Sequence, residues 1–368
     1  MPKGWLVCFC LVLFAAGSAS AQQGASASEP LPQPGPSNPV LVHRPPPVQT
    51  TSATPAGRIQ LDVVVTDAAG KPVTGLEPSD FRLLDNDQPR KILSFRSFDG
   101  VTVKPDPPVE VVLVVDTVNN GFVELAYIRK GVEEFLRQKD GHLAQPVSLI
   151  LFSGAGLKVQ PRPSVDGNAL LDVLNSIKPS VRPRGEDPIQ VSVRALSLVA
   201  TNERHKPGRK IVIWLGQGWR PARRDNSVFT QHYARVQLLD FEAMVSISEM
   251  LREAHITLYG GFEQNLFSYR EFLAGVKSVN QMDYPHLALE VFANRTGGSS
   301  SLTTINRDSD LVSQINGYIA NAASFYQISF NPPPALQADE YHDLKLQMSN
   351  PAWTAHTGTG YYNQPASQ

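Results

Sequence analysis

One stretch constrains the fold more than any other: Val109-Glu-Val-Val-Leu-Val-Val-Asp116, followed at once by Thr-Val-Asn-Asn-Gly. Five of the six residues before Asp116 are apolar, and most of those are β-branched. A run that is apolar on both faces reads as a strand buried on both sides, as in a parallel sheet covered by helices. Asp116 to Gly121 then forms the loop at the carboxyl end of that strand, where open α/β sheets place their ligand sites. Behind it, Leu125, Ile128, Val132, Phe135 and Leu136 have the spacing of an amphipathic helix.

The same alternation continues. Gln145-Pro-Val-Ser-Leu-Ile-Leu-Phe152, Arg209-Lys-Ile-Val-Ile-Trp-Leu215 and Ile256-Thr-Leu-Tyr259 read as further buried strands, with Ser153-Gly-Ala-Gly156 as the loop ending the first. Helical spacing covers residues 168–177, 189–200, 233–254 and 287–295, and a last helix carries Leu311, Ile315, Tyr318 and Ile319 on one face. Strands separated by helices predict an α/β fold: a doubly wound, mostly parallel sheet with right-handed crossovers over residues 108–323. Before it, residues 58–100 carry three short alternating strands separated by turn signals, the pattern of a small β-sandwich domain. Residues 324–362 return to strand patterns. Because isolated hairpins are marginal in water, these are expected to pair with the 58–100 strands.

The ends of the chain differ from its middle. Residues 1–21 have the form of a secretory signal peptide: Lys3, an apolar core from Trp5 to Ala16, and Ala19-Ser-Ala21 before the cleavage point. An uncleaved anchor is the alternative. Both cysteines, Cys8 and Cys10, lie inside this leader, so the exported chain would be cysteine-free, which excludes disulfides and cysteine chemistry. Residues 22–57 form a linker expected to be disordered, with nine prolines between Pro30 and Pro55, and residues 363–368 a disordered tail. The chain has 33 lysines and arginines against 34 acidic residues, with no basic cluster suited to nucleic acid.

Several landmarks together resemble the VWFA-related family of exported, Acidobacteria-type proteins. They are Asp67-Ala-Ala-Gly-Lys-Pro-Val-Thr-Gly-Leu76, Ser79-Asp-Phe81, Gly208 to Leu215, Ala293-Asn-Arg-Thr-Gly-Gly298, Ala323 to Phe330, Tyr341 to Leu346 and Gly360-Tyr-Tyr362. The resemblance spans residues 58–362 and implies a von Willebrand factor A-like domain. Such domains often carry a metal-ion-dependent adhesion site built on Asp-x-Ser-x-Ser, with a threonine and an aspartate from two other loops. Hydroxyl and carboxylate oxygens of that kind suit a hard cation such as Mg²⁺. Here Asp116 matches, but Val118 and Asn120 replace the serines, Gly216 or Gln217 stands where the second aspartate belongs, and the middle loop offers Glu186 and Asp187 without a threonine. The resemblance therefore implies a degenerate site. No metal or other cofactor is expected; any residual Mg²⁺ would rest on Asp116, Asn120 and Asp187. Without a metal, Asp116 reads as a structural carboxylate that accepts N–H bonds within its own loop.

No catalytic signature accompanies this loop. Gly-x-Ser-x-Gly, Walker, His-Glu-x-x-His and complete dinucleotide-binding patterns are all missing, and Glu133 and Glu134 are adjacent on a helix and so diverge. The chain is expected to be an exported protein-interaction module rather than an enzyme. It would bind an unknown protein partner through a loop face of Asp116, Thr117, Asn119, Asn120, Glu186, Asp187, Gly216 and Gln217. Arg182, Arg184, Arg220, Arg223 and Arg224 are either solvated charges or a positive rim, and Trp214, Trp219 and Phe229 either core or interface anchors. The competing readings are Mg²⁺-dependent adhesion, an unrecognised hydrolase on the same face, and a structural scaffold component.

Overall fold

The computed structural model describes residues 57–100, 102–160, 162–176, 187–219, 221, 231–260, 269–298 and 311–365. These all belong to one unit, Val42–Gln368. The leader, almost all of the 22–57 linker, Glu186, the five loop arginines, Phe229 and residues 366–368 lie outside the described residues. In chain order the elements are β1 (Ile59–Thr66), β2 (Phe81–Asp85), β3 (Gln88–Arg90), β4 (Ser94–Phe98), β5 (Glu110–Asp116), α1 (Phe122–Leu136), β6 (His142–Ser153), β7 (Gly156–Val159), β8 (Ser164–Asp166), α2 (Gly167–Asn175) and α3 (Pro188–Arg204). They continue with β9 (Lys210–Leu215), α4 (Gln231–Glu253), β10 (Ile256–Gly260), α5 (Leu289–Arg295), α6 (Leu311–Ala323), β11 (Phe325–Phe330), β12 (Glu340–Met348), β13 (Thr354–His356) and β14 (Gly360–Asn363).

The apolar run at 109–116 is the central strand of a six-stranded sheet. β5 lies between β6 and β9, with Val111 opposite both Val147 and Ile211, and every residue of β5 is buried. Its side chains alternate between two apolar layers. Val112 and Val114 pack with residues of α3, α4 and α5, while Val111, Leu113 and Val115 pack with residues of α1, α2 and α6. The helical stripe behind the loop is buried as its spacing requires: Leu125, Ile128, Val132, Phe135 and Leu136 all face the core.

The doubly wound, mostly parallel architecture expected from this rhythm is corrected by strand direction. Only three of the eleven strand pairings among the described residues are parallel, namely β5 with β6, β5 with β9, and β9 with β10. Ser153-Gly-Ala-Gly156 is not an exit loop to a helix. It is a tight turn, with Gly156 at φ +107°, that sends β7 back antiparallel along β6. β8 also pairs antiparallel with β6, so this sheet is mixed.

The β-rich part is larger than a small appended domain. Eight of the fourteen strands form two four-stranded antiparallel sheets, ordered β13-β1-β11-β4 and β14-β12-β2-β3. Pairing of β1 with β11 and β13, and of β2 with β12, joins the N-terminal strands to the C-terminal ones across the whole of the six-stranded sheet region. Ile59, Leu61, Val63 and Ile328 of one sheet pack with Leu83, Leu344 and Tyr361 of the other, which makes a β-sandwich with its own core. Tyr326 ties the turn over it: its hydroxyl donates to the Val73 carbonyl at 2.9 Å and accepts from the Leu76 N–H at 3.2 Å. Asn363, the first residue assigned to the expected tail, belongs to β14.

Candidate functional site

At the carboxyl end of β5, Asp116 is fully buried and its carboxylate accepts four hydrogen bonds. Oδ1 takes the backbone N–H groups of Val118 at 2.8 Å and Asn119 at 2.9 Å. Oδ2 takes Asn119 Nδ2 at 2.7 Å and Trp214 Nε1 at 2.9 Å. Burial pushes the carboxyl above the ordinary carboxylate range, against the pull of the donors from Asn119, Trp214 and Val118. Three of the four donors come from the turn itself, two backbone N–H groups and the Asn119 side chain, the local arrangement expected of an aspartate at a strand end. The fourth donor, Trp214, lies on β9, 98 residues away.

The neighbouring side chains extend this frame. Thr117 donates through both its backbone N–H and its hydroxyl to the Phe152 carbonyl, each at 2.9 Å, which joins the loop to the end of β6. Asn119 Nδ2 also reaches Ser192 Oγ at 2.9 Å, and Ser192 donates to the Pro188 carbonyl at 2.8 Å, linking the loop to α3. Asn120 spans to the β9 loop. Its Nδ2 donates to the Asp116 carbonyl at 2.7 Å and its Oδ1 accepts from the Gln217 N–H at 3.0 Å. A Cβ at Gly216 would lie 2.4 Å from Asn120 Nδ2, so any larger residue would have to displace the amide that bridges the two loops. Asp187 caps α3: Oδ1 accepts from the Ile189 N–H at 2.9 Å, and Oδ2 accepts from the Tyr284 hydroxyl.

The structure therefore brings Asp116, Thr117, Asn119, Asn120, Gly216 and Gln217 into one hydrogen-bonded unit, with Asp187 at the head of the adjoining helix. Glu186 lies outside the described residues. Within this unit Asp116, Thr117 and Gly216 are buried and only Gln217 is exposed, so the first three shape the face without forming its outer surface. Trp214 and Trp219 are core, not interface anchors. They are 1% and 2% exposed, meet edge to face at 4.8 Å, and Trp219 Nε1 donates to the Leu287 carbonyl at 2.6 Å. Among the described residues, no group of three or more histidine, cysteine, aspartate or glutamate side chains is arranged to hold a metal ion.

Sequence spacing missed the most exposed apolar pair on this face. Phe122 and Val123 open α1 directly after the Asp116–Gly121 loop and are 77% and 72% exposed. Phe122 lies three residues before Leu125, so helical periodicity assigns it to the buried stripe, yet burial begins only at Leu125.

Two polar constellations lie elsewhere. Asp85, fully buried between β3 and β12, accepts from His342 Nδ1 at 2.7 Å and from the Tyr361 hydroxyl at 2.8 Å, with Arg90 Nε at 3.4 Å. It locks β2, β12 and β14 together. A cavity of about 50 Å³ between β1, α4 and α5 is lined by Asp62, His255, Arg252 and Arg295. Burial raises the Asp62 carboxyl, but His255 and Arg209 outweigh it and hold the group below its ordinary value.

No family model and no curated protein matches the sequence. Among solved structures, the PilB minor pilin from Streptococcus sanguinis matches at 11% identity and a TM-score of 0.32, covering 62% of each chain. The pilus adhesin SpaC from Lactobacillus rhamnosus GG matches at 12% identity and a TM-score of 0.35, over 80% of this chain and 49% of that one. Proximal thread matrix protein 1 from the mussel byssus matches at 13% identity and a TM-score of 0.30, over 61% of this chain and 47% of that one. The chain thus spans about half to three-fifths of the length of these proteins. These findings correct the resemblance drawn from the sequence landmarks. Membership of the VWFA-related family, and with it the label of a degenerate adhesion site, has no matching family model, and the similar structures are titled as pilus and thread proteins. No described helix is long and apolar enough to cross a membrane.

Proposed function

We propose that this chain is an exported protein-interaction module that binds a protein partner through the loop face at the carboxyl ends of β5 and β9, without a metal ion. The observation that carries the reading is the exposure of Phe122 and Val123 on a rigid base. Two large apolar side chains at 77% and 72% exposure stand on the first turn of α1, directly after a loop whose polar groups are bonded to β6, α3 and β9. A loop already tied to its neighbours before binding leaves less backbone to order when a partner covers the side chains it carries, which favours their use as interface anchors. The metal-free part is supported by Asp116, whose two oxygens already accept four N–H donors. Export rests on the form of residues 1–21.

The test is affinity capture from an extract of the source cells, followed by titration of the recovered protein with wild type and with the Phe122→Ser/Val123→Ser variant. Binding should fall roughly tenfold or more in the variant, since each anchor buried at an interface contributes on the order of 1–3 kcal/mol. The unfolding midpoint should not move, because neither side chain is in the core. Equal binding by the variant would remove the loop face from the reading.

A further inference from the structure

The cavity of about 50 Å³ lies where β1 of the sandwich meets α4, α5 and the amino end of β10, away from the loop face. The charges around it do not balance. Asp62 is answered by His255, whose Nδ1 lies 3.5 Å from Oδ2, and by Gln327 Nε2, which donates to Oδ1 at 3.1 Å; Arg209 attracts it from further off. Arg252 is answered by Glu249 Oε2 at 2.5 Å and Glu253 Oε1 at 3.8 Å. Arg295, which also lines the cavity, has no carboxylate partner among the described residues. It is 7% exposed. Its Nη2 donates to the Ala274 carbonyl at 3.2 Å, its guanidinium carbon lies 5.3 Å from the centre of the Tyr341 ring, and its Nε is buried without an acceptor. The phenols beside it supply no negative charge: burial pushes the hydroxyls of Tyr341 and Tyr362 up, the latter to about 12.

A buried cation without a counter-charge is costly, and folded proteins pair such a group or hold an ion beside it. Here there is room for one. The cavity exceeds several times the roughly 10–15 Å³ that one water needs, which is enough for one small polyatomic ion. Further donors suit an anion. Arg252 uses Nε and Nη2 on Glu249, and its Nη1 has no acceptor among the described residues. The Ser248 hydroxyl on the same wall has only the Met244 sulfur, at 3.5 Å. Gly358 and Gly360 complete the wall without side chains, which keeps the space open. A guanidinium fork matches oxygens that accept two N–H groups side by side, so an oxyanion fits it better than a halide. We propose that this cavity binds one small oxyanion, of the size of inorganic phosphate, as the counter-charge of Arg295. Because β1 belongs to the sandwich while α4, α5 and β10 belong to the layers of the six-stranded sheet, the bound ion ties the two parts of the fold together.

The experiment titrates inorganic phosphate into the full chain by calorimetry, with sodium chloride holding the ionic strength constant. One saturable site per chain is expected, and the unfolding midpoint should rise by about 4 °C at one hundred times the measured dissociation constant. Arg295→Met should lose both effects. A second variant guards against loss of folding. A Cβ added at Gly358 would meet the Arg295 carbonyl oxygen at 3.6 Å and Leu61 Cδ2 at 3.9 Å, ordinary contacts with two residues of the wall, so Gly358→Ala should fold and take up part of the cavity. It should weaken phosphate binding roughly tenfold or more while matching the wild-type midpoint in chloride alone. Three results overturn the proposal: no saturable phosphate binding, equal binding by either variant, or several equivalent sites per chain, which would mark screening of surface charge.

Discussion

Replacing Asp116 with alanine tests the physical account of the loop most directly. The substitution leaves the backbone N–H groups of Val118 and Asn119 and the indole N–H of Trp214 without their acceptor, all at buried or part-buried positions. A buried donor deprived of its acceptor costs about 1–3 kcal/mol. Asn119 retains Ser192 Oγ as a second acceptor and so loses less. Removing a buried negative charge offsets part of the total, leaving a destabilisation of about 3–5 kcal/mol. Asp116→Asn should cost less, about 2–3 kcal/mol, because its carbonyl oxygen can still accept the two backbone groups while its amide confronts Trp214 and Asn119 donor to donor. The assay is urea unfolding followed by far-ultraviolet circular dichroism, which reads the same in variants that lack Trp214. A double-mutant cycle with Trp214→Phe should give a coupling of about 1–3 kcal/mol. An Asp116→Ala variant within about 1 kcal/mol of wild type, or a cycle with no coupling, would refute the idea that this carboxylate organises the loop.

Other tests follow from the same structure. Lys210 is 1% exposed, and burial lowers its ammonium from 10.5 to about 8, so the unfolded chain binds the extra proton between those values and stability should rise with pH from 8 to 10.5. That gain, about 3 kcal/mol, should be missing from Lys210→Met in urea titrations at stepped pH. Asp187→Ala removes the α3 cap and the acceptor of the Tyr284 hydroxyl, and should lower stability by about 1–2 kcal/mol in thermal unfolding. Gly298→Ala should fail to yield folded protein, because its Cβ would lie 1.8 Å from the Leu258 carbonyl oxygen; Gly317→Ala, on α6 with nothing within 4 Å, should instead gain about 0.5–1 kcal/mol. Millimolar Mg²⁺ after EDTA treatment should leave the unfolding midpoint unchanged, whereas a cation at one hundred times its dissociation constant would add about 2.7 kcal/mol.

The sequence by itself determined the local elements of the loop region. A run of apolar β-branched residues makes a strand buried on both faces, and a 3–4 spacing of apolar residues makes the helix behind it, because both patterns are written within a dozen residues. The turn chemistry of Asp116 was local too: an aspartate at a strand end accepts N–H groups two and three residues on. Strand direction was not legible in that way. Whether a strand runs parallel or antiparallel to its neighbour depends on where the connecting chain leads, and a turn at Ser153–Gly156 looks the same in sequence whether a helix or a returning strand follows. Burial at the site also lay beyond the sequence. Trp214 reaches Asp116 across 98 residues and Tyr284 reaches Asp187 across 97, so each carboxylate takes one donor that only tertiary packing supplies. The exposure of Phe122, Val123 and Leu336 is of the same kind. Composition identifies them as apolar, but only the assembled fold determines whether a neighbouring element covers them, and among the described residues none does for these three side chains.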